Sequence, residues 1–326
     1  MASNDHNNHT SGEEAHDSPA HNTTTKKRTK KVVRSEQLVF AAHPTIDPKM
    51  IWKLLSAFTE TVPMTITPDD GIFVQVMDTS HSSMCEWIVP PAAFETFDIK
   101  HTHHFGITVP VMIKIMAAAG SGATITWTLD VDGDECINIL AAGGKGIDIT
   151  VLLRTCDIDQ EIMESTITNW TRVCVSTTDL QRTVARLKGL ESEMSTVCLH
   201  RMAEPSGVVV SVASTLLSRA SASVSAIEMV SPSEKVSSPG GGHLVEGSDS
   251  ESGDVGTNPE EHCYQATLLS NVLDCGTGIS DRVWVCWKEV GPLLIKFVDS
   301  SVDADYDTKI GNLQLYIAPL TPMFDE

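Results

Sequence analysis

Apolar and polar positions along this chain follow two rhythms, a period of two that marks half-buried strands and a period near 3.6 that marks amphipathic helices. Gln37–His43 predicts a strand and Asp47–Glu60 a helix. Strands follow around Met64–Ile66, Ile72–Met77 and Met84–Val89, then a helix at Val109–Ala119 and strands at Ala123–Leu129 and Cys136–Ala141. The pattern then repeats: strand Arg172–Ser176, helix Asp179–Glu191, strands Ser195–His200 and Val208–Ala213, helix Ala266–Cys275, strands Arg282–Trp287 and Leu293–Val298. Such internal repetition predicts two homologous α+β modules, each of strands plus two helices.

Where the rhythm fades, the composition changes. Residues 1–36 hold almost no apolar side chains and predict a disordered tail of net charge +1. A second soft stretch, 222–262, contains SPSEK, SSPGGG and GSDSESGD and carries net charge -7, which predicts a low-complexity insertion. The expected organisation is therefore a basic tail (1–36), an N-terminal module (37–154), a connector (155–169) and a C-terminal module (170–326) interrupted by the insertion.

The formal charge of -20 argues against a nucleic-acid binder unless cations are segregated. They are: the first long helix offers Lys49 and Lys53, the second Lys114, and the third Arg182, Arg186 and Lys188. On an ordinary α+β protein these would be a solvated face. The eight cysteines form no CxxC pair and sit mostly in apolar runs, which predicts buried free thiols in a reducing compartment. No apolar run approaches the ~20 residues of a membrane-spanning helix, and the N-terminus lacks a signal-peptide pattern, so neither a secreted nor a membrane-spanning protein is expected.

Several chemical signals fail their templates. DVDGD at 130–134 has the alternating acids of a calcium loop, but Glu135 and Ala141 stand where the loop needs Gly and Glu, so a tight turn is expected. Gly143 to Lys145 lacks the rest of a phosphate-binding loop, and His101, His103 and His104 lack partners at structural-zinc spacing. No nucleophile or metalloprotease motif occurs, and no cofactor is implied. The run Lys26, Lys27, Arg28, Lys30 and Lys31 has the composition of a nuclear-localisation signal, and the Ser-Pro and Ser-Asp-Ser-Glu sites of the insertion are candidates for phosphorylation.

The run Gly71 to His81 (GIFVQVMDTSH) resembles the central motif of sliding clamps of the proliferating cell nuclear antigen (PCNA) family. Phe105 to Gly120 (FGITVPVMIKIMAAAG), the Ile125–Asp130 strand, Asp157 to Asp159 and Gly311 to Pro319 (GNLQLYIAP) fall in clamp order. The resemblance covers about 36–222 and 263–320.

It implies a non-enzymatic ring of head-to-tail subunits, a homotrimer, with antiparallel sheets outside and helices lining a channel for double-stranded DNA. It implies DNA polymerase and other replication or repair proteins as partners, a clamp loader, and a nuclear site of action. In that setting Lys49, Lys53, Lys114, Arg182, Arg186 and Lys188 would meet phosphates without reading sequence. A partner-peptide pocket would be formed by Met77, His81 and Met84 of the central loop, Ile158 and Met163 of the connector, and Tyr316, Ala318 and Pro319 of the C-terminal arm. The edges Ile147–Leu153 and Ala222–Met229 would pair between subunits, the insertion beginning at the second. Its long tail and insertion suggest a divergent member, such as one from a large DNA virus. The rival expectations are a clamp-fold processivity factor that closes no ring, a checkpoint-type clamp subunit assembling with other chains, and, from another class, an enzyme of replication or repair.

Overall fold

The computed structural model describes residues 35–40, 47–130, 136–158, 162–163, 171–190, 196–202, 206–212, 219–230, 262–287, 291–298 and 311–320. The Lys26 to Lys31 run, the DVDGD turn beyond Asp130 and the insertion from 231 to 261 lie outside the described residues.

The first module runs β1 (Ser35–Phe40), α1 (Pro48–Leu55), β2 (Thr61–Thr67), β3 (Gly71–Met77), β4 (Ser83–Val89), β5 (Phe94–Asp98), β6 (His103–Thr108), α2 (Val109–Ala119), β7 (Thr124–Asp130), β8 (Cys136–Ala142) and β9 (Ile149–Arg154). The second repeats that order: β10 (Thr171–Ser176), α3 (Thr177–Lys188), β11 (Thr196–Met202), β12 (Gly207–Val212), β13 (Ala220–Ser225), β14 (Glu228–Val230), β15 (His262–Gln265), α4 (Ala266–Gly276), β16 (Arg282–Trp287), β17 (Leu293–Val298) and β18 (Asn312–Ile317).

Alternation is visible in the burial of β7 and β18, where every second side chain enters the core. α1 starts where the Asp47 carboxylate accepts from Lys49 N (3.0 Å) and Pro48 occupies the first turn. The helix expected to reach Glu60 stops at Leu55, because Ser56 and Ala57 turn the chain so that Phe58 can still be buried.

All the strand pairs described are antiparallel. In the first module β5-β1-β7-β8-β9 form a five-stranded sheet, and β4-β3-β2-β6 form the other half. In the second, β14-β10-β16-β17-β18 and β13-β12-β11-β15 are the equivalent halves. One joint fuses the modules: β18 pairs with β4, Tyr316 opposite Met84, giving a continuous sheet of nine strands. Among the described residues β9 and β13 have no such partner and stand as sheet edges.

Two expectations need correction. The stretch expected as one edge strand, Ala222–Met229, is two: β13 pairs with β12, then the chain crosses so that β14 pairs with β10. The insertion therefore begins after Val230 and not within the edge strand, since residues 222–225 and 228–230 already have ladder partners. The cysteines are also not all free thiols, because Cys198 and Cys263 stand opposite each other on β11 and β15 and form a disulfide. Of the free ones, Cys85, Cys174 and Cys286 are buried, whereas Cys156 is exposed.

One apolar core runs through both modules, with Trp52 of α1 meeting Trp87 and Trp127 at ring-centroid distances of 6.3 and 6.4 Å. The helices pack side by side in the order α2, α1, α4, α3, and the seam between modules is closed by Asp47 N donating to Gly278 O (3.0 Å). No helix among the described residues is long and apolar enough to cross a membrane.

Candidate nucleic-acid interface and peptide pocket

The packing order of the helices gathers cations that lie far apart in sequence into one layer. Lys53, Lys114, Arg182 and Arg186 are exposed there, while Lys49 and Lys188 are half-buried. The buried stripe of each helix explains this placement. Ile51, Trp52, Leu54 and Leu55 take the core side of α1, and Leu180, Val184 and Leu187 that of α3, so the basic residues are turned away. Two acids dilute the charge. Asp179 lies 3.8 Å from Arg182, an exposed pair, and Asp274 of α4 accepts from Gln181 (2.8 Å). The four helices thus carry six cations and two carboxylates. α4 contributes no cation, but Lys53 of α1 comes near its Cys275, partly offsetting the burial that raises that thiol.

The expected peptide-pocket residues are brought together unevenly. Met77, Met84 and Tyr316 stand side by side in register on β3, β4 and β18. Across an antiparallel pair, directly opposed side chains share a face, so these three form one row. The C-terminal arm follows: Ala318 N donates to Ser82 O (2.8 Å) and Leu320 N to Cys263 O (2.8 Å). Ala318 is exposed and Pro319 half-buried. Ile158 stands apart, over Gly106 of β6, where an added Cβ would come within 3.1 Å of its Cγ2.

The central loop owes its shape to Asp78, which sequence reasoning missed. Its carboxylate accepts from Ser80 Oγ (2.6 Å), Ser82 N (2.8 Å), Ser82 Oγ (2.9 Å) and Ser83 N (3.0 Å). Burial alone would raise its pKa, yet these hydrogen bonds lower it. His81 completes the turn with φ of 55° and is exposed.

Gln75, also missed, ties the connector to the sheet. Met163 N donates to Gln75 Oε1 (2.7 Å), and Gln75 Nε2 donates to Met163 O (2.9 Å) and to Glu86 Oε2 (3.3 Å). A polar side chain inside the apolar run GIFVQVM was the available signal.

These features match a known architecture. Residues 46–162 match the family model of proliferating cell nuclear antigen, N-terminal domain. The crystal structure of the PCNA2–PCNA3 complex from Sulfolobus tokodaii is similar in fold, with a TM-score of 0.64 over 87% of this chain and 98% of that one, at 13% sequence identity. The chain has the PCNA-like clamp fold. Among curated proteins no significant match is found. In this PCNA-like clamp, Met77 through Met84 and the described connector residues up to Ile162 lie inside the matched region, whereas Met163 and the Tyr316 to Pro319 arm lie outside it and are related through the fold alone.

Proposed function

We propose that the protein is a DNA polymerase processivity factor, a sliding clamp that encircles duplex DNA without reading its sequence and docks partner peptides. The observation that carries this is the pair of open edges. β9 occupies in the first module the place of β18 in the second, and β13 that of β4. Pairing β9 of one copy with β13 of the next would repeat the β18–β4 joint, a head-to-tail contact that closes into a ring when the rotation allows. Leu152, 71% exposed, and Ile147, 65% exposed, at the first edge are apolar positions such a contact would cover. Within a ring, topology holds the DNA, so weak phosphate contacts from the helix layer suffice and sliding remains possible.

Light scattering tests this directly. A molar mass of three chains at low and moderate salt is expected; a single-chain mass at both would sink the ring and leave a processivity factor that holds DNA on one face. A second reading, assembly with a different clamp chain, is supported by the PCNA2–PCNA3 pairing in the similar structure. Mixing with other clamp chains of the same source and measuring heteromeric mass separates the two. Turnover in nuclease or ATPase assays, lost on substituting one acidic residue, would favour the enzyme class instead.

For the basic run Lys26 to Lys31 we propose nuclear import. A reporter fused to residues 1–36 should accumulate in nuclei, and uniform distribution would reject the signal.

A further inference from the structure

Beneath the candidate peptide pocket runs a polar row that the pocket itself does not require. Gln75 of β3 stands opposite Glu86 of β4, and Glu86 opposite Gln314 of β18. Both ends of the row touch a pocket wall. Gln75 grips the main chain of Met163 from both sides, and Gln314 Oε1 accepts from the Tyr316 hydroxyl (3.3 Å). Gln75 is only 4% exposed, so its amide has little access to water in place of those partners. Burial raises the pKa of Glu86, and the hydrogen bond from Gln75 acts against that rise.

The geometry of the clasp is that of one residue of an added strand. The side-chain amide presents an acceptor and a donor to the N–H and C=O of a single residue, as a neighbouring strand would. An amide can sit either way round, and the carboxylate of Glu86 decides between them: with Nε2 against Glu86, Oε1 is free to receive Met163 N–H. Met163 is thereby fixed two residues along β3 from Met77, on the face that carries Met77, Met84 and Tyr316.

We propose that Gln75 is a positioning residue for partner binding: it holds the connector at Met163 in register with the Met77, Met84 and Tyr316 row, and Glu86 orients its amide. This rests on the peptide-pocket reading above. The hold on Met163 then fixes one wall of the pocket, and peptide affinity depends on a residue that no peptide need touch. A wall that is not held must be ordered during binding, which weakens affinity.

The test uses the full chain, a fluorescent synthetic peptide with one helical turn ending in two aromatic residues, and hydrogen exchange at the Met163 amide. Gln75→Met keeps the shape of the side chain and removes its hydrogen bonds. It should speed Met163 exchange and weaken the peptide about tenfold, while the exchange of β3 and β4 amides stays unchanged. Glu86→Gln, which removes the bias on the amide, should weaken the peptide less. Faster Met163 exchange with unchanged peptide affinity overturns the positioning role. An unprotected Met163 amide in the unsubstituted protein overturns the clasp without any variant. If the unsubstituted protein binds no such peptide although its Met163 amide is protected, the pocket reading fails and this proposal with it, whereas equal binding by the protein and Gln75→Met sinks this proposal alone.

Discussion

Met84 lies directly opposite Tyr316, a pairing that belongs both to the β4–β18 ladder between the two modules and to the row of the candidate pocket. Because the joint between β4 and β18 is also the template for the open edges β9 and β13, the molecule carries inside itself a copy of the contact by which we propose it assembles.

Leu152→Lys places a charge on the exposed side of the β9 edge, where it would sit against the next copy. We expect the three-chain mass to fall to that of one chain, with the melting temperature of the single chain little changed. A persistent trimer would show that the contact lies elsewhere.

Lys53→Glu with Arg182→Glu reverses two exposed charges on the helix layer. DNA retention and polymerase stimulation should drop, and the slope of log affinity against log salt should shrink by about one for each phosphate contact removed. The converse change, Asp274→Asn, removes an acid from the same layer and should raise affinity. Unaltered salt slopes in both would reject these helices as the DNA face.

Reduction of the Cys198–Cys263 disulfide frees a loop with a sequence separation of 65 residues. The chain-entropy argument gives an upper limit of about 4 kcal/mol, so Cys198→Ser or a strong thiol reductant should lower the melting temperature by several degrees. The same midpoint with and without reductant would mean that the pair is not bonded in solution.

Glu36, 3% exposed at the start of β1, opposes its burial by accepting hydrogen bonds from His103, from His101 and from main-chain N–H groups, and is held down to about 2. A carboxylate depressed in the folded state stabilises above its unfolded pKa and loses that contribution as pH falls through its folded one. Stability should therefore decline between about pH 4.5 and about pH 2. Glu36→Gln should flatten that part of the profile and lower the melting temperature at neutral pH. Urea midpoints across the range check both.

Much of the fold was legible because it is written locally. Alternation in the runs that became β7 and β8, and 3.6-residue spacing at Val109–Ala119, report which side chains leave water wherever the strand or helix finally packs. The repeat followed from those same signals, and the cations of α1 and α3 were already on the faces opposite their apolar stripes. Among the candidate pocket residues, Met77 and Met84 came from the resemblance of Gly71 to His81 to the clamp motif and not from the apolar pattern.

What the sequence could not determine was partnership. A period of two tells a strand's buried face but not its neighbour, so the fusion of β18 to β4, the crossing of the chain from β13 to β14, and the open edges at β9 and β13 were decided only when the sheets assembled. Cys198 met Cys263 and Gln75 met Met163 for the same reason: each pair is separated by dozens of residues, and only the packed core sets the register that brings them within bonding distance.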